Sequence, residues 1–128
     1  MQKDFDSWNK EKKNIHNEGS NKFYKAKEIW WCSLGLNVGF EQDGTSGDHQ
    51  RPVLVLKGFS RQVCLVVALT TSKKKNPYHI SVGIIEGEES FAILSQIRLV
   101  DTKRFTDRLL VLDTETFNKI RKAVRGLI

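Results

Sequence analysis

The residues best placed to do chemistry lie in one stretch, Glu41–Thr71, which brings together a carboxylate, a guanidinium and hydroxyls. A polar, glycine-bearing loop (Asp43–Gln50) leads into two apolar strand-like runs, Pro52–Phe59 and Gln62–Leu69, joined by a short Ser60–Arg61 turn. Polar groups gather at the outer ends: Glu41, Gln42 and Arg51 before the first run, and Thr70, Thr71 and Ser72 after the second. If the runs pair as an antiparallel hairpin, the start of the first lies beside the end of the second. Arg51 and Thr70 then meet at one rim of the sheet, with Glu41 and Gln42 delivered by the loop. Such a set is suited to metal-free chemistry or to binding.

Familiar alternatives are missing. The sequence has no P-loop, no GxGxxG and no GxSxG elbow, which argues against nucleotide cofactors and serine-hydrolase chemistry. It lacks the clustered acids of a two-metal nuclease. Cys32 and Cys64 sit in apolar strand-like segments and form no CxxC pair, and His16, His49 and His79 are scattered, so no metal and no cofactor is expected. Bland readings compete at each position. Arg51 could simply pair with Glu41 or Asp48. Thr70, Thr71 and Ser72 could satisfy local backbone groups, and Lys73–Lys75 could form a solvated turn, although lysines beside a threonine-lined rim could also hold phosphates. Gln96 and Arg98 share one strand face by the period of two and could both point to solvent, and His79 could be structural.

The elements that must position these residues follow from patterning. The 128 residues fit one domain with a real core, and 39% hydrophobic and 28% charged residues are ordinary soluble composition. No apolar run reaches the roughly 18–20 residues of a membrane span. The charged start, MQKDFDSWNKEKK, lacks a signal-peptide core, which predicts a cytoplasmic protein. The net charge of +6 favours a polyanionic partner but equally serves solubility. Phe5, Trp8 and Ile15 predict a short amphipathic helix within Met1–Asn17, and Asn17–Lys27 reads as a linker. This arm is basic, with seven lysines against four acids before Glu28.

Strands are predicted at Glu28–Leu36, at the two runs above, and at Tyr78–Ile85, Phe91–Val100 and Leu109–Leu112, with an acidic turn at Glu86–Glu89. A closing helix spans about Thr114–Leu127, capped by Asp113, with Phe117, Ile120, Val124 and Leu127 as its apolar face. The order is a short helix, about six strands and a closing helix, which suits a small curled sheet or barrel.

At these residues the chain resembles the MazF/PemK family of toxin endoribonucleases from bacterial toxin–antitoxin systems. Glu28-Ile29-Trp30 resembles the family's opening G-[DE]-[IV]-W strand, with Lys27 in place of the usual glycine. Gly39-Phe40-Glu41-Gln42 resembles G-x-E-Q, and Arg51-Pro52-Val53-Leu54-Val55-Leu56 resembles the RP strand. Thr70-Thr71 stands at the strand-end threonine. Pro77-Tyr78-His79-Ile80 resembles the next strand entry, and Leu94-Ser95-Gln96-Ile97-Arg98 with Val100-Asp101 resembles [DE]-Q-[IV]-[RK] and its successor. Two departures are visible: Ser95 occupies a position where many members carry Asp or Glu, and the Glu41–Arg51 loop is longer than in compact members. The resemblance spans about residues 27–128, leaving 1–26 as an N-terminal helical arm and linker.

The resemblance implies a mainly β fold with helices, an SH3-like curled β-barrel with a C-terminal helix, here with an extra N-terminal helix. It implies a homodimer, a cognate antitoxin protein as partner, and metal-independent, sequence-specific cleavage of single-stranded RNA. By position it makes Arg51 and Thr70 the catalytic pair. Glu41 is the better general base, because a guanidinium is too costly to deprotonate. Gln42, Thr71, Ser72, Lys73, His79, Gln96 and Arg98 are then candidates for RNA contact. Two other functions fit the same fold: a non-catalytic nucleic-acid-binding barrel, and a gyrase-poison-like toxin with a protein target.

Overall fold

The long apolar runs form strands because they are buried on both faces of one curled sheet. The computed structural model describes residues 22–34, 50–72 and 76–128. The expected helix within Met1–Asn17 lies outside them. The described elements are β1 (Glu28–Ser33), β2 (Gln50–Gly58), β3 (Val63–Thr70), β4 (His79–Ile85), β5 (Glu88–Asp101), a 3-10 turn (Thr102–Arg104), β6 (Phe105–Val111) and α1 (Thr114–Gly126). All six strands pair antiparallel in the order β4-β5-β3-β2-β1-β6.

Alternation along β2 and β3 feeds two cores. One contains Ile29, Leu54, Val67, Leu69 and Leu94 with Phe117 and Ile120 of α1; the other contains Trp30, Val53, Val55, Val66 and Phe105. Register shifts between Val55 and Lys57, Val67 and Leu69, and Ser81 and Gly83 add the local twist that curls the sheet. The largest is in β5, where Val67 faces Ile97 but Leu69 already faces Ala92. The N-terminal part of β5 thereby turns from its path along β3 to carry β4 at the sheet edge.

Helix α1 starts where expected: the Asp113 carboxylate accepts from the Thr116 N–H at 2.9 Å, a bond that holds its pKa below the usual value. The β4–β5 connection is tighter than expected. Only Glu86 (φ 53°) and Gly87 (φ 80°) form the turn, both left-handed as a type I′ hairpin requires, so Glu88 and Glu89 already belong to β5. Within the segment read as a linker, Tyr24 is packed against the domain. The Tyr24 hydroxyl donates to the Ser60 carbonyl, and its ring meets Phe105 edge-on at 6.2 Å.

Lys27 holds φ 77°, the left-handed region that costs an L-residue about 1–2 kcal/mol. Its backbone is fixed from two sides: its N–H donates to Val55 O at 3.1 Å, and its carbonyl accepts from Leu112 N–H at 2.8 Å. This is the position where the family pattern has glycine, and the backbone angle is the physical reason. Lys27→Gly is expected to raise stability by about 0.5–1 kcal/mol, the relieved strain less the extra unfolded-state freedom of glycine. Lys27→Ala, which only removes the Nζ–Thr114 Oγ1 bond of 2.9 Å, is not expected to share the gain. Urea unfolding of both variants checks this, and equal behaviour of Gly and Ala would refute the strain.

Candidate active site

β2 and β3 bring Arg51 and Thr70 to the same end of the sheet. Their register runs from Gly58 opposite Cys64 to Val53 opposite Ala68; continued two residues, it sets Arg51 across from Thr70. Both line a cleft of about 360 Å³. Arg51 is only 1% exposed, and its Nε donates to Leu69 O at 3.2 Å, so the guanidinium is held rather than swinging in solvent. Thr70 is also buried, and its Oγ1 accepts from Ser72 N–H at 3.1 Å. That bond uses an oxygen lone pair and leaves the hydroxyl proton to donate.

The rest of the polar lining is Thr71, Glu86, Glu88 and Ser90; apolar walls come from Trp31, Pro52, Leu69 and Leu109. The glutamates arrive through topology: β5 pairs with β3, Thr70 faces Phe91, and the β4–β5 turn is therefore carried to the same rim. The acidic turn was visible in the sequence, but its place beside Thr70 was not. The signal lay in the β3–β5 pairing, which no local hairpin rule predicts.

Among the other expected site residues, Thr71 is exposed on the cleft and Ser72 is tied to Thr70. His79, half-buried at the start of β4, is not among the cleft's lining, and its Nδ1 is buried with no hydrogen-bond partner among the described residues. Gln96 and Arg98 lie on β5, half-buried and exposed respectively, and neither lines the cleft. Glu41, Gln42 and Lys73 lie outside the described residues. No group of three His, Cys, Asp or Glu residues converges as a metal site among the described residues. Cys32 and Cys64 are buried free thiols, and burial pushes both up to about 12. They are poor nucleophiles at neutral pH.

The chemistry open to the cleft is that of fixed donors beside carboxylates. A planar guanidinium fork matches the oxygens of a phosphate, a neighbouring hydroxyl adds a directional donor, and a carboxylate can accept a proton.

Comparison with known proteins gives a consistent picture. The model of the PemK-like, MazF-like toxin of type II toxin-antitoxin systems matches residues 25–128. Endoribonuclease EndoA of Bacillus subtilis (strain 168) is 32% identical over 111 residues, covering 79% of this chain and 90% of that protein. The crystal structure of MazF (Form-I) from Deinococcus radiodurans shares the fold with a TM-score of 0.65 at 18% identity, covering 81% of this chain and 94% of that one. An endoribonuclease in complex with its cognate antitoxin from a mycobacterial species does so at 0.62 and 18%, covering 81% and 93%. At these identities the two structures speak to the fold: a six-stranded curled antiparallel sheet with a C-terminal helix.

Proposed function

Because the chain belongs to the PemK-like, MazF-like toxins of type II toxin–antitoxin systems, we propose that it cleaves single-stranded RNA at short sequences, without metal, as the toxin of such a module. The observation that carries this reading is the placement of Arg51 and Thr70 on one cleft. The ribose 2′-oxygen attacks the adjacent phosphorus, the bond from phosphorus to the 5′-oxygen breaks, and the products carry a 2′,3′-cyclic phosphate and a 5′-hydroxyl. Negative charge grows on the non-bridging oxygens of the phosphorane. A prepositioned guanidinium and hydroxyl stabilise it, one such donor being worth about 3–4 kcal/mol. Requiring the 2′-hydroxyl makes the activity specific for RNA over DNA.

Glu41 is the proposed base toward the 2′-hydroxyl. Glu88 is a second reading, favoured by its position on the same cleft as Arg51 and Thr70. Comparing Glu41→Gln with Glu88→Gln assigns the base to whichever variant loses the alkaline-favoured limb of the pH–rate profile. Gln42, Thr71, Ser72, Lys73, His79, Gln96 and Arg98 are proposed RNA contacts; for His79, Gln96 and Arg98 these lie beyond the cleft itself. The remaining proposals are a homodimer, a cognate antitoxin that inhibits it, an arm over residues 1–26, and a cytoplasmic location. The buried reduced thiols suit that location, and no helix among the described residues is long and apolar enough to cross a membrane.

The test incubates the purified protein with long single-stranded RNA in excess EDTA. Discrete fragments ending in cyclic phosphate are expected. Intact RNA that stays bound would instead identify a binding barrel, and intact unbound RNA a protein-directed toxin. Thr70→Val keeps the β-branched shape but removes the donor, and is expected to slow cleavage by about 10²-fold. Thr70→Ser, which keeps the hydroxyl, is expected to stay within a few-fold of wild type. Equal rates for Val and Ser would remove Thr70 from the mechanism.

A further inference from the structure

At the opposite end of β2 from Arg51, the β2–β3 turn and the segment entering β1 form a second concave surface. Its volume is about 490 Å³, and its lining includes Lys22, Lys25 and Arg61 with the aromatic rings of Phe23 and Phe59. Among the described residues, no carboxylate is part of that lining. Phe23 is 80% exposed and Phe59 58%, an unusual state for two rings in one groove. Each ring carries a cation: Arg61 Cζ lies 4.4 Å from the Phe23 centroid, and Lys57 Nζ lies 5.4 Å from that of Phe59.

The groove is built rather than accidental. The Ser60 hydroxyl accepts from Gln62 N–H at 3.2 Å and from Val63 N–H at 3.1 Å, closing the turn. From below, the Thr102 hydroxyl donates to Arg61 O at 2.7 Å, and Thr102 N–H donates to Gln62 O at 2.9 Å. Tyr24, whose hydroxyl donates to Ser60 O, clamps the entering segment over Gly58. A Cβ at Gly58 would sit 2.5 Å from that hydroxyl, so only glycine permits the approach. The scaffold thus fixes the turn backbone from which Phe59 and Arg61 project, and Tyr24 anchors the segment that carries Phe23.

We propose that this groove is a second binding site for single-stranded RNA, separate from the cleft that holds Arg51 and Thr70. Exposed aromatic rings interleaved with cations suit unpaired bases and phosphates: each base stacks on a ring, and the cations follow the backbone. An acidic peptide would use the cations but would leave the two rings exposed. The two sites lie about 25 Å apart along β2. A stacked strand rising about 3.4 Å per nucleotide reaches both only when it is about seven or more nucleotides long. The groove therefore favours long, unstructured RNA over short fragments, including the products of cleavage. This inference deepens the proposed endoribonuclease reading by adding a substrate-length preference, yet its test does not depend on cleavage.

The test measures fluorescence anisotropy of 2′-O-methyl RNA, which cannot be cleaved, at lengths of about 20 and about four nucleotides. Phe23→Ala and Phe59→Ala are each expected to weaken binding of the long RNA by about tenfold, with the short RNA bound as by wild type. Arg61→Gln is expected to lower the slope of log affinity against log salt by about one. Unchanged long-RNA affinity in all three variants overturns the proposal. So does equal weakening at both lengths, a change of oligomeric state in light scattering, which would make the patch a subunit interface, or displacement of an acidic peptide but not RNA. Melting curves establish that each variant is folded, and the three substitutions lie on the surface. If wild type binds long RNA through the groove but cleaves none, the groove stands and the nuclease reading falls.

Discussion

Replacing Arg51 with alanine is expected to reduce RNA cleavage by at least about 10²–10³-fold, the cost of losing one prepositioned donor to the transition state. The side chain is nearly fully buried, and its Nε donates to the Leu69 carbonyl, so the substitution also touches the fold. It strands a buried acceptor and opens a void, together worth about 1–3 kcal/mol. Activity must therefore be read beside a melting curve. Arg51→Lys supplies the second arm of the test: it keeps a positive charge and most of the volume but loses the planar fork that meets two phosphate oxygens at once. A folded lysine variant with a rate well below wild type locates the function in the guanidinium's geometry. Wild-type cleavage by a folded Arg51→Ala variant would remove Arg51 from the reaction, and wild-type cleavage by Arg51→Lys would show that charge suffices without the planar fork.

Much of this arrangement was legible in the chain because it depends on local pairing. Pro52–Phe59 and Gln62–Leu69 are apolar runs separated by a short polar turn, and antiparallel pairing alone carries Arg51 to Thr70. The closing helix was equally plain, since Asp113 and the Phe117–Ile120 spacing state where it begins and which face it buries. What local patterning does not reveal depends on distant contacts. Phe105–Arg108 belong to β6, but Thr106, Asp107 and Arg108 are exposed on an edge strand and carry no apolar alternation. Glu88 and Glu89 looked like turn residues because nothing in composition reveals that a type I′ turn needs only Glu86 and Gly87. The β3–β5 pairing then places Glu86 and Glu88 at the cleft, a consequence of long-range topology. Tyr24 reads as linker because its partners, Ser60 and Phe105, lie far along the chain.

Glu28 is a buried charged residue of this frame with three hydrogen-bond donors, and its effect on stability has a predictable pH dependence. The residue is 4% exposed. Burial by itself pushes its pKa up, but this is outweighed by hydrogen bonds from Lys25 N–H at 2.7 Å and Trp30 Nε1–H at 3.1 Å, and by Arg108 at 3.0 Å. The net result is a pKa below the usual carboxylate value. A group depressed on folding stabilises fully above its unfolded pKa and loses that contribution as pH falls through the folded one. Glu28→Ala removes three hydrogen bonds and leaves the buried indole N–H without its acceptor, an expected loss of about 3 kcal/mol near neutral pH. Glu28→Gln retains an acceptor but no charge and is expected to cost about half as much. Arg108 is more than half exposed, so solvent screening limits its share. Urea unfolding across the acid range tests the assignment: the gap between wild type and Glu28→Gln should narrow as pH drops below about 4.5. A gap that does not change with pH would mean that the charge contributes nothing. The consequence reaches the cleft indirectly, because the Glu28–Arg108 contact joins β1 to β6, the strands that supply Trp31 and Leu109 to its lining. Loss of cleavage in Glu28→Ala is therefore expected to follow the fraction unfolded, whereas Arg51→Lys loses activity while folded.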